Sequence, residues 1–111
     1  MPLFQLSEAP EDFERAILFA FGEFQSRGFD LENREIALDR LLGAFSRAFE
    51  RFRVVEKGDS EIAKTLESLG VKVEEIPEYV AKHPFRITVN PKIAKKSLRL
   101  FELEKQEKVD S

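Results

Sequence analysis

The sequence predicts a mainly helical α+β protein: an N-terminal antiparallel helical hairpin, a third short helix, a small antiparallel sheet and a C-terminal helix. Three observations carry that prediction. Apolar residues recur at helical spacing through two long stretches of the first half. The period drops to two near residues 71–76 and 85–89. Asn90-Pro91 then opens a last helical stretch, a cap followed by proline at the first position. A chain of 111 residues fits one domain over 1–111, with 108–111 as a frayed tail.

The first helix is expected from about Glu8 to Arg27. Ser7 is its candidate cap. Glu8, Glu11 and Asp12 put negative charge in the first turn, where the helix dipole favours it. Pro10 is tolerated because first-turn amides have no helical partner. Gly28 suits the left-handed stop. The second helix is expected from about Leu31 to Val54, capped by Asp30. Its apolar stripe is Leu38, Leu41, Leu42, Phe45, Ala48, Phe49 and Phe52. The short connection between the two predicts antiparallel packing. A third helix, from about Glu61 to Leu69, follows a cap at Asp59 or Ser60 and ends at Gly70.

Val71–Ile76 and Phe85–Val89 alternate as strands, with Phe85, Ile87 and Val89 on one side. Pro77–His83 is short for a parallel crossover, so the strands are expected to be antiparallel neighbours, with one helical turn between them. Two strands alone are marginal. Leu3–Leu6 is the candidate third strand; a partner's strand at the edge is the alternative. The last helix is expected from about Pro91 to Lys108.

Composition narrows the function. There is no Cys, which removes disulfides, thiolate metal sites and Cys nucleophiles. No apolar run approaches the ~18 residues that span a bilayer, so no membrane partner is expected. Residues 1–7 lack the basic start of a signal peptide. A cytoplasmic protein is the expectation. The chain is 35% charged but has only five amide side chains, a thermophile-like balance.

Phenylalanine is the first unusual feature. There are 11, and seven fall between Phe13 and Phe49. Around Ala16–Phe21 the first helix is apolar nearly all round, whereas a surface helix keeps a polar outer face. Either it is central within the chain, between the second helix and the sheet, or its second face meets another chain. The second reading makes Phe13, Ile17, Phe19, Phe21, Phe24, Phe45 and Phe49 the candidate interface.

Charge segregation is the second. Residues 82–101 hold six bases and no acid: Lys82, Arg86, Lys92, Lys95, Lys96 and Arg99. The last helix also runs against its own dipole, with Lys early and Glu102, Glu104 and Glu107 late. Local helix stability does not explain that order. The plain reading is a solvated face that balances acidic neighbours. The functional readings are a nucleic-acid backbone, or a small anion at the Asn90 helix start. A net charge of -3 weighs against a dedicated nucleic-acid binder.

Enzyme chemistry finds little support. His83 is the sole histidine and precedes a proline, so two-His zinc patterns are ruled out. The five Gly stand apart and form no phosphate loop. Glu8/Glu11 and Glu32/Glu35 have the spacing of magnesium-binding pairs, but helix starts explain acids there. Ser60–Tyr79 fails as a helix-turn-helix because Pro77 falls inside the second helix. No cofactor, metal or catalytic residue is expected. The leading expectation is a non-catalytic protein that binds protein, as a homodimer or as a subunit of a larger complex. Nucleic-acid binding through the basic segment is the alternative.

Overall fold

The computed structural model describes residues 5–77 and 85–110, with side chains through residue 106. In chain order the elements are α1 (Pro10–Ser26), β1 (Glu35–Ala37), a 3-10 turn (Leu38–Leu41), α2 (Leu42–Phe52), α3 (Asp59–Leu69), β2 (Lys72–Glu75), β3 (Phe85–Thr88) and α4 (Pro91–Asp110). This is the mainly helical α+β arrangement the sequence predicts. The strands form one antiparallel sheet in the order β1-β3-β2. The antiparallel pairing of the two alternating segments is as expected.

The third strand is not the expected one. Gln5 and Leu6 are not in a strand, and residues 3 and 4 lie outside those described. Glu35–Ala37 takes the place beside β3, so the expected second helix loses its first third. The physical reason is tertiary. Ile36 faces Ile87 across the ladder and both are buried, while Leu38, two residues on, is buried as well. A spacing of two then fits better than a helix, and pairing plus burial overrides the local helix preference. Asp30 therefore caps nothing. Asn33 takes a left-handed φ of 57°, and its N–H donates to the Val89 carbonyl at 2.7 Å.

One row of the sheet, Ile36-Ile87-Val73, faces the core. The rows Glu35-Thr88-Lys72 and Ala37-Arg86-Glu74 make the other face. On α3, Ile62 and Leu66 are fully buried.

Two helix ends use the same device. Gly70 at φ 96° closes α3: its N–H reaches the Glu67 carbonyl, and the Val71 N–H reaches Leu66. Arg53 at φ 53° closes α2 in the same way, through Glu50 and Phe49. Both are Schellman motifs, followed by a buried valine. Two expected caps differ. Neither Asp59 nor Ser60 caps α3; the cap position is Gly58. The cap position of α1 is Ala9. Ser7 works just outside the helix, accepting from the Ala9 N–H at 3.1 Å and donating to Asp12 at 2.6 Å.

The apolar girth of α1 is explained by its place between α2 and α4. Against α2, Phe13 stacks on Phe49 at 5.0 Å between ring centres, Phe21 meets Phe45 at 5.9 Å, and Arg47 pairs with Glu23 at 2.6 Å. Against α4, Phe19 meets Phe101 at 5.0 Å and the Gln25 amide donates to the Ala94 carbonyl at 2.8 Å. Both neighbours run antiparallel to α1. The second face of α1 is thus covered by α4, not by the sheet. Gly22 permits this approach: a Cβ there would stand 2.4 Å from the Ser97 carbonyl oxygen and 2.4 Å from the Phe101 Cβ.

Candidate functional site

Phe13, Ile17, Phe19, Phe21, Phe24, Phe45 and Phe49 all lie inside the chain, with 0 to 9% of their surface exposed. They form the centre of one continuous core. Side chains so placed offer no surface to a partner while the fold is intact.

The basic segment is divided. Lys82 lies outside the described residues, as does the helical turn expected before it. Arg86 is half-buried on the outer face of the sheet, level with Glu74 on β2. Lys92, Lys95, Lys96 and Arg99 are exposed on α4. Their spacing of three and four puts them on one side of the helix.

The start of α4 is capped from within. Asn90 Oδ1 accepts from the Ile93 N–H at 2.9 Å, and the Asn90 carbonyl accepts from Ala94 at 3.0 Å. Pro91 has no N–H. Of the first-turn amides, Lys92 alone is left for an outside anion, which weakens the small-anion reading.

The sequence reading missed the groove between α1 and α4. It has a volume of about 350 Å³ and is lined by Leu18, Leu100 and Leu103, with Glu11, Glu14 and Arg15 from α1 and Lys96 and Arg99 from α4. Leu103 is 53% exposed, the most exposed large apolar residue described. Among the described residues, none of these five charges has an ion-pair partner in the chain. The signal was present in the sequence. Ile93, Ala94, Ser97 and Phe101 make one stripe toward α1, and Leu103 falls off that stripe on the side of Lys92, Lys96 and Arg99.

Among the described residues no three His, Cys, Asp or Glu side chains stand together as a metal site. Among them no helix is long and apolar enough to cross a membrane. No protein-family model matches the chain, and no curated protein or solved structure matches it. The chain's own geometry carries the functional reading.

Proposed function

We propose that this is a non-catalytic protein-interaction protein that works as a homodimer or as a subunit of a larger assembly. The observation that supports this reading is the groove between α1 and α4. Seven of the described Phe are buried in the chain's own core, whereas Leu103 is exposed beside half-buried Leu100 in a channel edged by charges that have no ion-pair partner among the described residues. An apolar floor with a charged rim is the usual anatomy of a protein contact. The binding surface is therefore assigned to this groove instead of the buried Phe set.

Light scattering on a sizing column, at low and high salt and with a mixed oligonucleotide, tests the proposal. A dimer or larger species without oligonucleotide is expected. A strictly monomeric chain at high concentration overturns the homodimer and leaves only the subunit of a larger assembly. Phe19→Asp is no probe of an interface, since it places a charge in the core. Leu103→Asp is the informative substitution.

A second reading is favoured by the exposed stripe Lys92, Lys95, Lys96 and Arg99, which has no ion-pair partner among the described residues. As a nucleic-acid surface it predicts binding that falls steeply with salt and falls further in Lys95→Glu/Lys96→Glu. No shift with oligonucleotide removes that reading.

A further inference from the structure

The charge order of α4, which opposes its own dipole, gains a reason once α1 is placed beside it. Gln25 lies level with Ala94, and Gly22 level with Ser97. Running on from there, Lys96 and Arg99 stand near the Gly22–Glu23 end of the groove. Glu11 and Glu14 stand at the opposite end, near the acid-rich half of α4 that holds Glu102 and Glu104. At 1.5 Å rise per residue, Lys96 and Arg99 are roughly 10–15 Å along the groove from Glu11 and Glu14, while Arg15 stands beside the two acids on α1. That separation accounts for the lack of ion pairs across the groove, from α1 to α4, among the described residues. The groove is apolar in the middle, positive at the Lys96–Arg99 end and, with Glu11 and Glu14 against Arg15, net negative at the other.

Such a surface is complementary to itself. We propose that the partner at the groove is a second copy of this chain, related by a two-fold axis that crosses the groove at Leu18, Leu100 and Leu103. This rests on the reading of the protein as an assembly protein and says where and how it assembles. The axis reverses the groove end for end. Lys96 and Arg99 of one copy then come level with Glu11 and Glu14 of the other, and the leucines meet in the middle. Leu100 of each copy lies against Leu103 of its mate. A two-fold axis running along the groove leaves the acids and bases as far apart as they are in one chain, so charge selects the crossing axis. Two facing helix pairs cover roughly 500 Å² on each copy, at the low end for a specific contact. A dimer with micromolar affinity is the expectation.

Sedimentation equilibrium on four proteins tests this, with helical content checked by circular dichroism. Leu103→Asp weakens the dimer about tenfold or more without unfolding the chain, because Leu103 is half in water already. Lys96→Glu/Arg99→Glu makes both groove ends acidic, and Glu11→Lys/Glu14→Lys makes both basic. Each alone weakens self-association. Mixed in equal amounts, they form a mixed dimer close to wild type in affinity. Nucleic-acid binding gives no such rescue. If the wild type dimerises but ignores all three variants, the two-fold arrangement is wrong and the assembly reading stands. If the wild type is monomeric at high concentration, the two-fold arrangement falls together with the homodimer reading it rests on.

Discussion

Replacing Gly22 by Ala reports directly on how closely α1 and α4 approach. The added Cβ would sit 2.4 Å from the Ser97 carbonyl oxygen, 2.4 Å from the Phe101 Cβ and 3.1 Å from the Ser97 carbonyl carbon. None of these atoms is the tip of a flexible side chain, so relief requires the helices to move apart by about 1 Å. A gap of that size costs about a quarter to a half of the dispersion energy of the contacts it opens. The Phe19–Phe101 ring contact at 5.0 Å and the Gln25–Ala94 hydrogen bond at 2.8 Å are the first affected. Overpacking against backbone belongs at the upper end of the ~1–3 kcal/mol range. Ala is better than Gly inside a helix by about 1 kcal/mol, which offsets part of this. The net expectation is a loss of about 2 kcal/mol, or about 8 °C in Tm for a chain of this size. Gly43→Ala is the control. Gly43 is also helical, but its Cβ meets only the Arg47 Nη1 at 3.5 Å. There the propensity gain acts alone and stability rises by up to ~1 kcal/mol. Urea denaturation followed by far-ultraviolet circular dichroism is the assay, since the chain has no Trp. A Gly22→Ala protein as stable as wild type would refute the close packing of α1 on α4.

Three further substitutions probe single devices. Ser97 is fully buried with its hydroxyl unpartnered, so Ser97→Ala raises stability by about 1 kcal/mol in the same assay; a loss means the hydroxyl is bonded after all. Asn90→Ala removes the cap on Ile93 and costs ~1 kcal/mol, whereas Asn90→Asp keeps most of the stability; equal losses in both remove the cap as the cause. Arg53→Gly relieves the left-handed φ of 53° that closes α2 and raises stability by about 0.5–1 kcal/mol, read as a higher urea midpoint; a fall in the midpoint shows that the contacts of the Arg53 side chain outweigh the backbone strain.

The parts of the fold legible in the sequence are those decided within a few residues. The extent of α1, the Gly70 stop, the alternation of β3 and the Asn90-Pro91 start all depend on neighbours in the chain. The parts that were not legible depend on partners far away. Glu35–Ala37 becomes a strand because Arg86–Thr88 lies beside it, and no local signal outweighs the helix-favouring residues around it. The Phe-rich face of α1 showed that a second cover exists. It did not show that α4 supplies it, because that depends on Gly22, one residue without a Cβ. The candidate site followed the same rule. The reversed charges of α4 were plain, but the groove that Lys96 and Arg99 edge depends on which helix end lies next to which.

The place of β3 has a consequence for how the chain is made. β3 is the middle strand of the sheet and comes third in sequence, and α4, the second cover of α1, comes after it. A ribosome therefore releases α1 first and the 20-residue α4 last of these elements. Until then the Phe19 and Gly22 side of α1 is open to water, and β1 and β2 have nothing between them to pair with. Truncation before Phe85 removes the sheet and one wall of α1 together. The nascent protein completes its core in one late step, and a stalled chain presents its most apolar helix to the cell.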